Sequence, residues 1–287
     1  MKLLVTGGSG FLGRRAKAHF AALGWEVLAP GHGQLDITDA AALRAWFREA
    51  APEAVVHTAA VSDTGRCQRE PQWSEKINVD GAVNLARACR EFGTKLVLCS
   101  SDQVYFGSPL PGPHREEEPL TPANVYGCQK LRAEKECLAV LPDTVCLRLS
   151  WMYTGRNLPG DHGDFLTGMK AALEEGRVPL RFPVCDRRGL TDAEDVVKRL
   201  PQALELPGGV WNFGSENSLS TYAMVKDVLE KLGMESALAR LEPDTESFST
   251  APRDLTMDLT ALRTAGISFP GAKEALLRAM EEVCRGK

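Results

Sequence analysis

Tyr126 and Lys130 lie four residues apart in the stretch NVYGCQK (124–130), and their side chains are suited to proton transfer. Positions i and i+4 of a helix share one face, so the phenol and the ammonium can point into the same cleft. A free phenol has a pKa of about 10, and a neighbouring ammonium favours the phenolate and lowers that pKa. Such a pair can give a proton to a carbonyl oxygen or take one from an alcohol. Taken alone, however, the stretch favours an ordinary surface helix.

The helix that would carry this pair is predicted from its start and from its apolar stripe. Thr121 can serve as the N-cap, and Pro122 suits the first helical position, where its missing N–H costs nothing. The apolar residues at helical spacing are Val125, Leu131, Leu138 and Leu141. Gly127 costs about 1 kcal/mol relative to alanine in a helix interior. A glycine next to the tyrosine therefore needs a reason.

Closely spaced glycines occur at the start of the chain, in TGGSGFLG (6–13). They follow a predicted strand and open a predicted helix, and they fit both G-x-x-G-x-x-G and G-x-G-x-x-G. Glycines placed in this way allow a tight turn and a close approach of the backbone to a pyrophosphate at the helix N-terminus. The spacing of Gly8 and Gly13 also fits a triphosphate-binding P-loop. That motif continues with Lys, whereas this chain continues with Arg14 and Arg15, so a nucleotide triphosphatase is disfavoured.

Strands and helices alternate through the first half of the chain. Apolar, β-prone runs lie at 2–6, 26–29, 53–59, 95–101 and 144–150. Helical patterns separate them, among them one long helix over 73–93 that ends at a glycine. Continuous apolar strands that alternate with helices predict a parallel sheet with both faces covered. The predicted fold is therefore a Rossmann-type, doubly wound α/β structure.

The pattern changes after Trp151. Helices are predicted near 192–205, 220–233, 259–265 and 271–285, with a short strand at 209–214. We therefore expect a Rossmann domain over 1–150, to which segments near 190–213 return. Residues 151–287 are expected to form mainly a smaller, mostly helical, substrate-binding lobe.

Composition excludes several classes of function. The chain has 287 residues, a net charge of −4 and scattered basic residues, which argues against nucleic acid as the main partner. Its apolar runs are all far shorter than the ~18 residues of a membrane span. The eight cysteines include no C-x-x-C pair and lie mostly in apolar segments, so we expect free thiols and no metal site. These features lead us to expect a cytoplasmic protein without a membrane or nucleic-acid partner.

Two further predicted strands end in small or polar residues. Ser100, Ser101 and Asp102 end one strand, and HTAAVS (57–62) ends another. The carboxyl ends of parallel strands form the ligand-binding edge of such sheets. A glycine-rich first turn, a serine at a strand end and Y-x-x-x-K on the next helix resemble the extended short-chain dehydrogenase/reductase family. Four segments are similar to those of the dTDP-4-dehydrorhamnose reductase branch of this family, namely SSDQVY, YGCQKLRAE, LRLSWMY and APRDLTMDLTALRTAGI. The similarity runs through nearly the whole chain.

This resemblance implies a role for particular residues. The catalytic residues would be Ser101, Tyr126 and Lys130. The cofactor-binding residues would be Gly7, Gly10, Phe11, Leu12, Gly13, Arg14, Asp36, Ile37, Ala59, Ala60, Val61 and Ser100, together with Tyr126 and Lys130. The substrate-binding residues would be Asp102, Gln103 and Trp151. Gly127 would lie on the helix face that meets cofactor and substrate.

The resemblance also implies an NAD(P)-dependent enzyme that reduces the keto group of a nucleotide-linked deoxy-sugar, with a homodimer as a further expectation. The chain departs from the branch at Gln103, where tyrosine is usual, and at Phe106, where aspartate is usual. The segment CDRRGLTDAEDV lacks the usual D-Q-x-G-x-P-T. These departures concern the sugar rather than the cofactor. Two alternatives stay open, namely a nucleotide-sugar epimerase or dehydratase that uses NAD, and a non-catalytic NADP-binding regulatory subunit.

The end of the second strand favours NADP over NAD, although NAD stays possible. An NAD site usually has an acidic residue about 20 residues beyond the glycines, where it accepts the ribose hydroxyls. Here that place reads APGHGQ (29–34), and Asp36 comes later, in the next loop. Arg14, Arg15 and His32 are the candidates for contact with a 2′-phosphate.

Overall fold

The computed structural model of the protein describes residues 1–155, 158, 161, 163–176 and 178–285. The strands are β1 (Lys2–Thr6), β2 (Glu26–Leu28), β3 (Ala54–His57), β4 (Lys95–Ser101), β5 (Val145–Leu149), β6 (Trp151–Tyr153), β7 (Leu180–Pro183), β8 (Asp186–Arg188), β9 (Leu190–Asp192), β10 (Gly209–Phe213), β11 (Leu241–Asp244) and β12 (Arg253–Leu255). The α-helices are α1 (Phe11–Ala22), α2 (Ala40–Ala50), α3 (Thr64–Arg69), α4 (Pro71–Glu75), α5 (Ala82–Phe92), α6 (Val125–Val140), α7 (Phe165–Glu174), α8 (Ala193–Ala203), α9 (Thr221–Lys231), α10 (Glu235–Leu238), α11 (Thr260–Thr264) and α12 (Ala272–Arg285).

The main sheet has six strands in the order β10-β5-β4-β3-β1-β2, and every neighbouring pair is parallel. Helices α1 and α8 pack on one face, and α2, α5 and α6 pack on the other. From β1 the chain forms β2 on one side and then crosses to β3 on the other side. The carboxyl ends of β1 and β3 are therefore the switch point of the sheet. The predicted doubly wound parallel sheet is confirmed.

The predicted long helix over 73–93 contains an irregular turn. A π-helical turn over Lys76–Gly81 joins α4 to α5. A Cβ atom on Gly81 would come within 2.7 Å of Ile37 Cδ1, so the glycine allows this turn to approach the loop after β2. The turn also places Asn78 in the protein interior, where the exposed fraction of its side chain is small.

The start of α6 differs from the prediction. Asn124, rather than Thr121, is the N-cap, because its side chain accepts a hydrogen bond from the Gly127 amide at 2.7 Å. Pro122 lies before the helix, and the first helical residue is Val125. The later start removes about one turn from the predicted helix and leaves Tyr126 in the first turn.

The second half of the chain contains more strand than predicted. Three two-stranded parallel sheets pair β6 with β9, β7 with β11, and β8 with β12. Helices α7, α9 and α12 pack around a separate apolar core. Strand β10 joins the main sheet, and α8 packs on α1, while the division into two domains stays a prediction. In the described part of the chain, every helix lacks the length and apolar character that crossing a bilayer requires.

Candidate active site

The carboxyl end of β4 places Ser101 at the edge of the sheet. A 3₁₀ turn over Asp102–Tyr105 follows, and Ser101 caps it by accepting a hydrogen bond from the Gln103 amide at 3.2 Å. The Ser101 hydroxyl also donates to Asp102 Oδ1 at 3.2 Å. Asp102 is 1% exposed, so its carboxylate lies in the protein interior beside the serine. The serine hydroxyl is therefore oriented by its neighbour before it meets any ligand.

The first two turns of α6 place Tyr126 and Lys130 on the same side as Ser101. Both side chains are buried. Lys130 Nζ donates to the carbonyl oxygen of Cys99 in β4 at 2.7 Å and lies 5.8 Å from the centre of the Tyr126 ring. The Ser101 hydroxyl is near enough to the Tyr126 phenol to lower its pKa. The structure thus brings the three predicted catalytic residues together.

The pKa of Tyr126 is raised in this structure, chiefly by burial and then by the carboxylate of Asp102. A hydrogen bond from Ser101 opposes the rise. Burial also lowers the pKa of Lys130. In this structure burial thus shifts the phenol pKa in the direction opposite to the lowering that the residue types predict. A raised pKa favours the protonated phenol, which is the form that can donate a proton.

Gly127 has a packing role in this structure, whereas the resemblance implies a position facing cofactor and substrate. A Cβ atom there would come within 2.4 Å of the Gln103 carbonyl oxygen and 2.9 Å of Pro122 Cβ. The glycine therefore allows α6 to pack against the backbone of the 3₁₀ turn. Gln103 is held in the same region, because its Oε1 accepts from Asn124 Nδ2 at 3.0 Å.

A cleft of about 160 Å³ opens at the switch point of the sheet. Its lining includes Gly7, Asp36, Ile37 and Ala59 of the predicted cofactor-binding residues. Gly7 has φ +67°, and a Cβ atom there would lie 2.7 Å from the Ala59 amide nitrogen. The chain therefore turns at Gly7 in a conformation that favours glycine, with its backbone open to a ligand. This cleft fits the adenosine and phosphate part of a dinucleotide.

The other glycines and apolar residues of the first turn have packing roles. A Cβ atom on Gly13 would lie 2.1 Å from the Gly7 carbonyl oxygen, so glycine allows α1 to start close to β1. The Gly10 amide donates to the same carbonyl at 2.8 Å. Leu12 is buried against the sheet, and Phe11 lies under the Arg15 guanidinium at 4.4 Å. These contacts fix the backbone around the cleft.

The segment beneath the cleft is held by a residue that the sequence interpretation missed. Asn78, in the π-helical turn, accepts from the Val61 amide at 2.8 Å and donates to the Val61 carbonyl at 3.1 Å. It also donates to Gln129 Oε1 at 2.9 Å, which links the segment to α6. Ala60, predicted as part of the cofactor floor, is half-buried between Ala59 and Val61.

Three predicted cofactor contacts have protein partners in this structure. Arg14 Nη2 lies 2.6 Å from Asp161 Oδ1, and Arg15 Nη2 lies 2.6 Å from Asp161 Oδ2. Asp161 comes from the segment after β6, nearly 150 positions away in sequence, so this contact was beyond sequence reasoning. The Ser100 hydroxyl, also predicted to meet the cofactor, instead donates to the Glu134 carboxylate.

The substrate side joins the two halves of the chain. Arg188 Nη2 donates to both oxygens of Asp102, at 2.9 and 3.3 Å, and its guanidinium lies 4.7 Å from the Trp151 ring centre. Phe165 packs edge-on against Trp151 at 5.3 Å. Trp151 and Phe165 also line a second cavity, of about 600 Å³. Sequence reasoning could not identify Arg188, because its partner Asp102 is distant along the chain.

The class of the protein follows from where these side chains meet. Tyr126, Lys130 and Ser101 converge at the carboxyl edge of a doubly wound sheet, the edge at which the glycine turn and the switch point also lie. That geometry defines an NAD(P)-dependent oxidoreductase of the extended short-chain dehydrogenase/reductase class. The family model described as the RmlD substrate binding domain matches residues 1–284, and the chain belongs to that family.

Two named relatives are similar to the chain over most of its length. The chain is 33% identical to a dTDP-4-dehydrorhamnose reductase of Streptomyces griseus over 276 residues, 92% of this chain and 88% of the relative. It is 26% identical to the methionine adenosyltransferase 2 subunit beta of Pongo abelii, over 93% of this chain and 83% of that protein.

Among solved structures, a dTDP-4-dehydrorhamnose reductase of Clostridium acetobutylicum matches with a TM-score of 0.83 and 25% identity, over 99% of this chain and 100% of that one. The enzyme of the same name from Bacillus anthracis, solved in complex with NADP, has a TM-score of 0.83 and 22% identity, over 98% and 99% of the two chains. The second likeness concerns the fold alone.

Proposed function

We propose that the protein is an NADP(H)-dependent oxidoreductase that reduces the keto group of a nucleotide-linked deoxy-sugar. The observation that carries this proposal is the meeting of Ser101, Tyr126 and Lys130 at the carboxyl edge of the sheet, the edge that also holds the switch-point cleft. The name of the Streptomyces griseus relative supports dTDP-4-dehydrorhamnose as the substrate.

The chain's own residues supply the proton and the polarisation. A reduced nicotinamide, when bound, supplies the hydride. Tyr126 gives its phenolic proton to the carbonyl oxygen of the sugar as that oxygen gains negative charge. Ser101 donates a hydrogen bond to the same oxygen and stabilises the developing charge. Lys130 carries a positive charge 5.8 Å from the phenol ring, which favours the phenolate that remains after proton transfer.

The switch-point cleft and the second cavity suit the two ligands. The Gly7 turn and the N-terminus of α1 would hold the phosphates of the cofactor, with Asp36 and Ile37 near its adenine. The second cavity, lined by Trp151, Phe165 and the β7 strand, is large enough for part of a nucleotide-sugar. An aromatic wall suits the flat face of a base or the apolar face of a hexose.

The preference for NADP can be tested at His32. Arg14 and Arg15 are paired with Asp161, whereas His32 lines the switch-point cleft and its side chain is 84% exposed. We expect NADPH to bind more tightly than NADH, and His32→Ala to weaken NADPH binding several-fold while NADH binding changes little. Calorimetric titration of both cofactors checks this, with His19→Ala as the control variant. Tighter binding of NADH by the wild type would contradict the cofactor assignment.

Trp151 is expected to border the sugar. Trp151→Ala should raise the Michaelis constant for the sugar or lower turnover, while dinucleotide affinity and melting temperature change little. The competing role is purely structural, and truncation of a buried tryptophan costs about 3–5 kcal/mol. Steady-state kinetics and urea unfolding of Trp151→Ala and Trp151→Phe distinguish the two. A strongly destabilised Trp151→Ala variant with normal kinetics would show that the ring is only structural.

The proposed function is tested by absorbance of NADPH in the presence of dTDP-4-dehydrorhamnose. Purified protein should consume the cofactor steadily, with one sugar reduced for each NADPH oxidised. A protein that binds both ligands in a thermal-shift assay but consumes no NADPH would contradict the proposal. A panel of other nucleotide-linked keto-sugars then identifies the preferred sugar.

One observation favours a second candidate, a non-catalytic regulatory subunit. The similarity to the methionine adenosyltransferase subunit beta covers most of both chains. Such a protein would bind NADP and act through association with another protein. Buried Tyr126 and Lys130 are compatible with either role, so turnover with a keto-sugar separates the two candidates.

A further inference from the structure

We propose that Arg188 is a positioning residue for the reaction, which holds the Asp102 carboxylate in place and compensates its charge beside Tyr126. This inference rests on the proton-donating role proposed above for Tyr126. Arg188 ends β8 in the second half of the chain, whereas Asp102 follows β4 of the main sheet. The pair is thus a direct connection between the substrate side and the catalytic side chains.

The contacts of Arg188 are few and specific. Its side chain is 9% exposed, and Asp102 is its single ion-pair partner among the described residues. One face of the guanidinium lies against the Trp151 ring. Its Nε is buried and has no hydrogen-bond partner in the described part of the chain. A buried donor left unpaired costs stability, so the arrangement is better explained by a role at the site than by stabilisation of the fold.

Asp102 transmits the effect of Arg188 to the catalytic side chains. Its Oδ1 accepts from the Ser101 hydroxyl at 3.2 Å, while Arg188 occupies both carboxylate oxygens. Asp102 and Ser101 are both near enough to Tyr126 to shift its pKa, in opposite directions. The contacts of Arg188 with Asp102 and of Asp102 with Ser101 therefore set the position of the carboxylate and the local charge around the phenol.

The sign of the charge effect follows from the groups that face Tyr126. These groups are Asp102 and Ser101 at the end of β4, Cys99 in β4, Cys67 in α3 and Lys130 on the same helix. Asp102 is the carboxylate among them, and its negative charge disfavours the phenolate. Loss of the Arg188 charge leaves this carboxylate uncompensated in the interior. Tyr126 should then keep its proton up to a higher pH, because its pKa is raised further.

The test follows the titration of Tyr126 itself rather than turnover. Tyrosine labelled with ¹³C at Cζ reports the phenol and phenolate forms by NMR, and Tyr126→Phe assigns the signal. In the complex with NADP⁺, Arg188→Met should move the midpoint of Tyr126 upward by about one pH unit or more. Arg188→Lys, which keeps the charge, should stay near the wild type. Arg187→Met, at the exposed neighbouring position, is the matched control and should leave the curve unchanged.

A second variant shows whether Arg188 acts through Asp102. In an Asp102→Asn background, the upward shift caused by Arg188→Met should become smaller, because the carboxylate that Arg188 holds beside the phenol is gone and only the loss of the Arg188 charge itself remains. Asp102→Asn alone should lower the midpoint of the Tyr126 titration. This measurement tests the proposal by itself if Arg188→Met does not fold. Arg188→Met and Asp102→Asn curves that overlay the wild type at every pH where the proteins are folded would overturn the proposal. Because no keto-sugar enters the measurement, a wrong substrate assignment leaves its outcome unaffected.

Discussion

Tyr126→Phe should abolish most turnover while leaving cofactor affinity unchanged. The substitution removes only the transferable proton, and a positioned general acid contributes about 10²- to 10⁴-fold to rate. Because Ser101 and Lys130 keep their places, the dinucleotide should bind as before. Initial rates of NADPH oxidation and calorimetric titration of NADP⁺ measure the two effects separately, with Tyr222→Phe on α9 as the control.

The pH dependence of the wild type gives a second measure of the same role. Burial is the first cause that raises the pKa of Tyr126, and Asp102 is the second. The proton donor is therefore present below this raised pKa and is lost only as the pH rises through it. We expect reductive turnover to show no loss from phenol deprotonation between about pH 6 and about pH 9.

Turnover of Tyr126→Phe equal to the wild type would refute the assigned mechanism.

Arg148→Met should destabilise the fold strongly. Arg148 and Glu134 form a buried ion pair between β5 and α6, with Nη2 2.8 Å from Oε2 and side chains 4% and 1% exposed. Arg148 Nη1 also donates to the Tyr105 hydroxyl at 2.8 Å and to the Glu116 carbonyl at 3.1 Å. Removal of one partner leaves an uncompensated buried charge, which costs about 3–5 kcal/mol of unfolding free energy.

Urea unfolding measures this loss, and the same helix offers a matched control. Arg132 on α6 pairs with Glu136 at 2.6 Å, but both side chains are well exposed. Exposed pairs contribute about 1 kcal/mol or less, so Arg132→Met should be nearly neutral. The double variant Arg148→Met, Glu134→Leu should recover part of the loss, because neither charge then remains buried. Equal stabilities of Arg148→Met and Arg132→Met would contradict this account of the pair.

The Arg148 pair also matters for the position of the catalytic helix. Glu134 accepts from the Ser100 hydroxyl, one residue before Ser101, and follows Lys130 by one turn of α6. The Tyr105 hydroxyl donates in turn to Asn212 in β10 at 2.7 Å. Buried charges and hydroxyls thus connect β4, β5, β10 and α6 around the active-site edge.

Local patterns predicted the parts of the molecule that depend on local chemistry. The glycine turn at Gly7, the continuous apolar strands and the four-residue spacing of Tyr126 and Lys130 each have a direct physical consequence, and the structure contains all three. The predicted start of α6 is about one turn too early. Thr121 followed by Pro122 and Asn124 are equally good caps in sequence, and the tertiary structure uses Asn124.

Contacts between distant parts of the chain could not be predicted in this way. The Asp102–Arg188 and Arg14–Asp161 pairs join residues that lie 86 and 147 positions apart. Three-residue strands such as β8 and β12 are too short to show a period of two, so the small sheets of the second half gave no signal. Whether the pKa of Tyr126 is raised or lowered also depends on how deeply the phenol is buried, and burial cannot be read from the sequence.

The most direct test of the central claim is the transfer of hydrogen from cofactor to sugar. The protein is incubated with dTDP-4-dehydrorhamnose and NADPH that carries deuterium at the transferable position, and the sugar product is examined by mass spectrometry and NMR. We predict a product that carries one deuterium on the former carbonyl carbon, in equal amount to the NADP⁺ formed. A product without deuterium, or an isomerised sugar formed without net NADPH oxidation, would contradict the assignment of the protein as a reductase.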